Sequence, residues 1–439
     1  MLDIKYIKDN KDSVKNAVKE KHLSGSVDVD KLLETYDTYL ELLKKVELHR
    51  NLKNNLSKDI SKVSAEERIN LLEEAKTVKA ELSEVEHKLD EVKSLLDSML
   101  LLIPNVISPD VPVAPDDSGN VVLRKVGTPK EMDFTPKDHV AIGESLGLLD
   151  IDTAGQVSGS RFSYIKNELA LIQFALINLC LEVVTNEKTI GEIAKKVGNK
   201  YSKPFSMVIP PVFIKPEVMK RMDRLDPIEE RYYIPSDDLV LVGSAEHTLG
   251  PILMDKTVEL KELPVRYIGY STAFRREAGS YGKDVRGIIR VHQFDKLEME
   301  SFVSQEDGEA EQQLFVGIQE YIVSKLGIPY QVVQICTGDM GKPDYKQIDI
   351  ECWMPGENKY RETHTSDYMT DFQSRRLNAA YKDETGTRKY LYMNDATCLA
   401  IGRILVAILE NYQQKDGSVL VPEALKKYLS FEVIESHKS

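Results

Sequence analysis

The stretch FRREAGSYGKDVRGIIRVHQFDKLE, residues 274–298, decides how this chain is read. Basic and acidic side chains crowd around a glycine-containing centre, and surface ion pairs contribute too little to stability to explain that density. On either side of the glycines, STAFRREA and GIIRVHQFDKLE read as strands joined by the loop GSYGKDVRG. Alternate side chains of a strand share a face. Arg275 and Glu277 therefore point one way on the first strand, while Arg290, His292, Phe294, Lys296 and Glu298 share one face of the second. Burying such a face under another layer is expensive. Arginine's fork suits phosphate, and Phe294 offers a flat surface to a base. On spacing alone two readings stay open, a nucleotide site and an exposed polar sheet face.

Outward from this stretch, DLVLVG, PVRYIGYST and QIDIECWM also read as strands, alternating with amphipathic helical segments. Their tight spacing predicts an α+β domain with an antiparallel sheet flanked by helices rather than a doubly wound parallel one. No GxGxxG or GxxxxGK[ST] motif occurs, so a bound nucleotide would not sit in a dinucleotide fold or a P-loop.

Towards the N-terminus, residues 28–100 contain no glycine or proline and are rich in Leu, Lys and Glu. Leu71, Ala75, Val78, Leu82, Val85, Leu89, Val92, Leu96 and Met99 alternate four- and three-residue steps, the seam of a coiled coil. The preceding helix carries a less regular stripe ending Leu48, Leu52, Leu56, Ile60 and Val63. Between them SAEER offers Ser64 as N-cap with Glu67 three residues on. This predicts an antiparallel two-helix arm roughly 45 Å long. Near its tip lie Lys44, Lys45, Arg50, Lys53, Lys58 and Lys62, read either as a solvated charged face or as a strip for a phosphate backbone.

The 439 residues carry a formal charge of −13, which argues against nucleic acid as a partner unless basic groups are concentrated locally. No unbroken run of 18 apolar residues occurs and the first 21 residues are charged throughout, so a cytoplasmic protein with no membrane partner is expected. Cys180, Cys336, Cys352 and Cys398 are too scattered for a zinc site or disulfide framework and are expected as buried thiols.

The stretch at 273–299 resembles the second signature motif of seryl-tRNA synthetases, a class II aminoacyl-tRNA synthetase family. MLDIKYIKDN, the two-helix arm, IPPVFIKPEVM, GSAEHTL, YRETHTSDYMTDFQSRR and GRILVAILENYQ follow in family order over nearly the whole chain. The resemblance implies an N-terminal tRNA-binding domain at 1–103, a proline-rich linker at 104–120 and a class II catalytic domain at 121–439. It implies serine activation by ATP with Mg²⁺ to seryl-adenylate, then transfer to serine tRNA, and leaves selenocysteine tRNA open as a second acceptor. It also implies a homodimer built through Pro210 and Pro211, with the arm of one subunit, through Lys44, Lys45, Arg50, Lys53 and Lys58, serving tRNA docked on the other.

Carried over residue by residue, Arg275 resembles the grip on the α-phosphate and the substrate carboxylate, Glu277 the adenine amino contact, Arg290 a second phosphate ligand and Phe294 the ring stacked on adenine. Glu298 resembles the acid that reads the serine hydroxyl, and Ser244 and Glu246 the element that binds the amine. Glu362 resembles a metal-coordinating acid with Thr365 beside it, and Glu351 is a further candidate. Arg403 is the only charge in ATCLAIGRILVAIL; a buried arginine needs an anion, either a carboxylate of the protein or, by resemblance, the γ-phosphate. Thr397 and Asp395 belong to the amino-acid pocket.

Four positions depart from the commonest pattern: Ser244 for threonine, Thr365 and Thr397 for serine, and Asp395 for asparagine. The hydroxyl exchanges keep their chemistry, whereas an ionised Asp395 only accepts hydrogen bonds. A one-residue slip that puts Asn394 in this role is the other alignment. A ligase for a different acceptor, such as a carrier protein, and a silent RNA-binding paralogue are the competing functions; the arm counts against the first and the retained site residues against the second.

Overall fold

The computed structural model describes residues 1–277 and 286–435, and the chain divides into two compact units, Met1–Val106 and Ile107–Ser439. The loop expected between the two strands of the opening stretch falls, from 279 to 285, outside the described residues.

The first unit is dominated by two long helices, α1 (Val29–Ile60) and α2 (Ala65–Leu102), packed against each other. Asp28 caps α1 by accepting from Lys31 N at 3.0 Å. At the start of α2 the Glu67 carboxylate reaches back to accept from the Ser64 hydroxyl at 2.8 Å and its backbone N–H at 3.3 Å. Every residue of the α2 seam is buried or half-buried, with Val78, Leu82 and Leu96 deepest. On α1 the expected stripe is corrected. Leu48 and Leu52 are exposed, and the inward face runs Leu32, Thr35, Tyr39, Leu42, Val46, His49, Leu56 and Ile60. Steps of four overshoot a helical turn by about 40° each and drift off the seam, whereas alternating three and four stays on it.

The second unit is built on an eight-stranded sheet. Its strands are β1 (Val121–Val126), β2 (Ser206–Val208), β3 (Val265–Phe274), β4 (Gln293–Val303), β5 (Tyr330–Gln334), β6 (Lys346–Met354), β7 (Lys359–Thr370) and β8 (Tyr392–Ala400), in the order β1-β5-β6-β7-β8-β4-β3-β2. All neighbours are antiparallel except β2 and β3. Helices α3 (Asn167–Val184), α5 (Gly308–Lys325) and α6 (Ile401–Tyr412) contribute to one apolar core with the sheet residues Leu297, Met299, Ile348, Ile350, Ala396 and Cys398.

On β4 this leaves a divided strand. Leu297 and Met299 enter the core, while Lys296, Glu298 and Glu300 alternate with them and are also buried. The opposite face of the sheet is therefore a buried polar surface, the environment in which a site is built.

Two expectations change here. The strands of the opening stretch are shorter than their alternation suggested: β3 ends at Phe274 and β4 begins at Gln293, with one further bond from Arg275 N to His292 O at 3.0 Å. Glu277 takes a left-handed φ of 52°, and Gly287, at φ 96°, turns where a Cβ would lie 2.1 Å from His139 Nε2. Arg290 is thus placed by a bend and not by strand alternation. Second, DLVLVG contributes Leu239–Leu241 to a separate three-stranded sheet.

The proline-rich stretch after residue 106 is fastened along the sheet. Gln334 donates to Asp110 O at 2.8 Å, Thr337 N donates to Pro112 O at 3.0 Å, and Val111 packs on Val333, Ile335 and Met340. All four cysteines are buried and unbridged. Helix α3 is long and apolar enough by composition to cross a membrane, but Leu169, Ile172, Leu176 and Cys180 face the core, leaving Leu171 and Phe174 exposed.

Candidate functional site

Register alone brings the site's acids together. Glu300 on β4 stands opposite Asp395 on β8, Asp395 opposite Asp367 on β7, and Asp367 opposite Gln347 on β6. In a neighbouring row Glu298 faces Thr397, and Thr365 faces Asp349. Like charges placed across strands repel, so this face needs cations, and it has them in Arg224, Lys296, Arg275, Arg290 and Arg403. Asp395, not Asn394, belongs to it: Asn394 points to the other side of the sheet, where its amide donates to Gly308 O of α5 at 3.2 Å.

Two adjoining cavities open over these rows, of about 320 and 370 Å³. The first is lined by Arg275, Glu277, Arg290, Phe294, Glu362, Thr365, Thr397 and Arg403. Arg275 lies over the Phe294 ring, 5.2 Å from its centre, and donates to Gly243 O at 3.2 Å. Arg290 and Glu277 form an ion pair. Arg403 projects from the first turn of α6, and its Nη1 meets Glu362 Oε1 at 2.7 Å and Glu362 O at 3.0 Å. The expected anion of Arg403 is here a carboxylate of the protein. Desolvation raises the Glu362 carboxyl, but Arg403 and then Arg275 outweigh it and hold it below its ordinary value. That carboxylate is nevertheless 49% exposed. Glu351 stands opposite Glu362 in the strand register and accepts from Gln331 at 2.6 Å, beside the cavity rather than in its lining.

The second cavity is lined by Ser244, Glu246 and His247, which open the short helix α4 (Glu246–Leu249), together with Arg224, Arg231, Arg275 and Lys296. Beneath the lining, Ser244 Oγ donates to Glu298 Oε2 at 3.0 Å, and Lys296 pairs with the same carboxylate. Oxygens of Glu246, Glu298 and Asp395 all lie within 4.8 Å of one another, close enough to surround an ammonium group or another small cation. Burial raises Glu246, yet Arg224 and then His247 hold it well below the usual range. Asp395 goes the other way: burial, then Glu246 and Asp367, push it well up, and Arg224 only partly offsets them.

Of the residues singled out in the sequence, Arg275, Glu277, Arg290, Phe294, Glu362, Thr365, Thr397 and Arg403 meet at the first cavity and Ser244 and Glu246 at the second, with Glu298 and Asp395 under its floor. Lys44, Lys45, Lys53 and Lys58 are exposed on α1 and Lys62 in the turn after it, and Arg50 donates to Glu86 of α2 at 2.7 Å. Sequence reasoning gave no role to Arg224, Asp344 or Asp367 and only a face to Lys296. Nothing in RMDRLDP distinguishes Arg224 from its neighbouring charges, although Asp367 could have been found as a second strand acid two positions from Thr365.

The family model "Seryl-tRNA synthetase N-terminal domain" matches residues 1–107, and "tRNA synthetase class II core domain (G, H, P, S and T)" matches residues 232–412. A serine-tRNA ligase of Thermobifida fusca is 38% identical, the alignment covering 99% of both chains. The chain belongs to the seryl-tRNA synthetase family. A second serine-tRNA ligase, from Treponema denticola, is also 38% identical over 99% of this chain and all of its own. Among solved structures, seryl-tRNA synthetase from Pyrococcus horikoshii complexed with ATP superimposes with TM-score 0.91 at 33% identity, covering both chains fully. Cytoplasmic serine-tRNA ligase from Naegleria fowleri in complex with AMP follows at TM-score 0.85 and 28% identity, over 100% of this chain and 99% of its own. The arm and the mostly antiparallel catalytic sheet are therefore those of seryl-tRNA synthetases.

Proposed function

We propose that the chain is an ATP-dependent serine-tRNA ligase. The observation that carries this reading is the pair of adjoining cavities, one rich in arginine with an aromatic wall and the other with buried carboxylates, in a chain that matches seryl-tRNA synthetases from end to end. In the first step a serine carboxylate oxygen attacks the α-phosphorus of ATP, the bond to the bridging oxygen breaks and pyrophosphate leaves. No covalent nucleophile on the protein is required; positioning and charge stabilisation carry the step.

Arg275 is assigned to the α-phosphate and the serine carboxylate, Arg290 to phosphate, Phe294 to the adenine face and Glu277 to its amino group. Arg403 is assigned to the terminal phosphate, which would compete with Glu362 for its guanidinium. Glu246 and Ser244 receive the ammonium group, and Glu298, Thr397 and Asp395 the side chain. In the second step the terminal ribose hydroxyl of tRNA attacks the adenylate carbonyl and AMP departs.

Glu362, half-exposed and opposite Glu351, offers the oxygen-only donors that suit Mg²⁺. That ion would neutralise charge on the phosphates. The exposed lysines of α1 support recognition of serine tRNA through its backbone and shape. A homodimer is part of the same reading, supported by the exposed Phe174 and Leu171 of α3 and by Met207 and Ile209 at the sheet edge formed by β2. So is a cytoplasmic location, where ATP and tRNA are found.

The test is ATP-pyrophosphate exchange with serine, threonine, glycine, alanine and cysteine side by side, followed by charging of serine tRNA and selenocysteine tRNA. Serine-dependent exchange that disappears in a folded Arg275→Ala variant is expected. Exchange with another amino acid would reassign the substrate, exchange with none would favour an RNA-binding paralogue, and full exchange in Arg275→Ala would refute the phosphate assignment.

A further inference from the structure

Among the described residues, the arginine with four carboxylates around it has no role in the scheme above. Arg224 is 15% exposed; its Nε lies 2.8 Å from Glu246 Oε1, and its Nη2 lies 3.4 Å from Asp395, 3.8 Å from Asp367 and 3.9 Å from Asp344. The other cations nearby are committed elsewhere. Lys296 pairs with Glu298, and Arg231 donates to the Arg224 carbonyl at 3.0 Å. Glu300, next in the acid row, is one more acid there, fully buried with neither oxygen bonded.

Asp395 is consequently half-satisfied. One oxygen faces Arg224, while Oδ1 is buried without a hydrogen-bond partner. A buried acceptor left unpaired is costly, and a ligand that brings a donor relieves that cost. Three carboxylates within 4.8 Å would, uncompensated, attract any small cation, including an ammonium group on a substrate side chain. A guanidinium already seated 3.4 Å from Asp395 opposes a second positive charge there, but not a neutral hydroxyl.

We propose that Arg224 is a specificity-determining residue of the amino-acid pocket: seated among Glu246, Asp344, Asp367 and Asp395, its guanidinium leaves Asp395 one oxygen for a neutral side-chain hydroxyl and opposes a cationic side chain of the same size. This rests on the reading of Ser244, Glu246 and Glu298 as the amino-acid pocket, and its test is arranged to separate the two. It adds to the serine contacts a charge filter that the departure at Asp395 makes necessary, because a carboxylate attracts an ammonium group more strongly than the neutral amide it replaces.

The probe is L-2,3-diaminopropionate, which replaces the serine hydroxyl by an amine that takes a proton beside carboxylates. Pyrophosphate exchange with serine and with this analogue is measured for the wild type and for the Arg224→Gln, Arg224→Lys and Glu246→Gln variants. The wild type is expected to ignore the analogue. Arg224 lines both cavities; in Arg224→Gln the KM for serine rises on the order of 100-fold, more than the KM for ATP, and the analogue becomes an inhibitor or substrate. Arg224→Lys, which keeps the charge, restores the exclusion. A wild type that accepts the analogue as readily as serine overturns the proposal even if no variant folds. A folded Arg224→Gln with unchanged discrimination overturns it too. If Glu246→Gln leaves the serine KM unaltered, the pocket reading itself fails; if that KM rises while Arg224→Gln changes nothing, only the role of Arg224 falls.

Discussion

At the scale of single residues, protonation is set by hydrogen-bond direction and burial. Gly243 donates its backbone N–H to His247 Nδ1 at 3.1 Å, so that nitrogen must be unprotonated, and Nε2 faces Glu246 at 3.5 Å. Burial, opposed by Glu246, lowers the His247 pKa to about 4. Because the folded value lies below the ordinary 6.5, the unfolded chain takes up the proton first as pH falls. The stability contributed by neutral His247 is complete above about pH 6.5 and is lost progressively towards pH 4, a change of about 3 kcal/mol. The raised carboxyls of Asp395 and Asp367 act in the opposite sense, so the informative quantity is a difference. The stability gap between wild type and His247→Asn, measured by urea unfolding, is expected to shift by about that amount between pH 7 and pH 4. A gap that stays constant with pH would show that His247 is not the group titrating. The residues that sequence left unassigned also belong to this scale: Arg224 and Asp344 have no local pattern, since their meaning comes from partners far away in the chain.

At the scale of elements, the two helices of the arm and the strand β4 show how much periodicity can tell. The α2 seam was fully legible because apolar residues on a strict three-four alternation leave no competing face. On α1 several leucines lie off the seam, and only the partner helix determined which stripe was buried. The strands of the opening stretch were legible in existence but not in length, since a left-handed residue at Glu277 and the turn at Gly287 depend on packing against His139. Element independence leads to a prediction. Replacing residues 30–100 by a short linker is expected to leave serine-dependent pyrophosphate exchange intact, because every cavity residue lies beyond residue 220, and to abolish tRNA charging. Undiminished charging by that variant would remove the arm from tRNA recognition. Loss of exchange as well would mean that the arm is needed to build the site.

For the whole molecule, the proposed dimer has two copies share the work. Phe174 on α3, 59% exposed, and Ile209 just past the edge strand β2, 79% exposed, leave apolar side chains uncovered. If the proposed dimer forms and an arm serves the site of the other copy, two crippled chains complement each other. An arm-deleted chain and a full-length Arg275→Ala chain, each inactive in charging, are expected to charge serine tRNA when co-expressed. Ile209→Asp in both should abolish that activity and shift the species to monomer in sedimentation. Co-assembled chains that remain inactive would show that arm and site act within one copy.

By itself the sequence determined the arm, the order of the motifs and the chemical character of the site, because these rest on local periodicity and on residue types carried within short segments. The strand alternation and the resemblance to a family's motifs together singled out Arg275, Glu277, Arg290, Phe294, Glu362 and Arg403, which the structure brings to one cavity. Only the tertiary structure decided that Asp395 rather than Asn394 lies on the acid face of the sheet, that Glu300, Asp395 and Asp367 stand in one row, and that Arg224 lies among the acids. The physical reason is register: which side chains meet across strands, and which cation must then neutralise them, is a property of pairing between segments separated by up to 171 residues and is written in none of them alone.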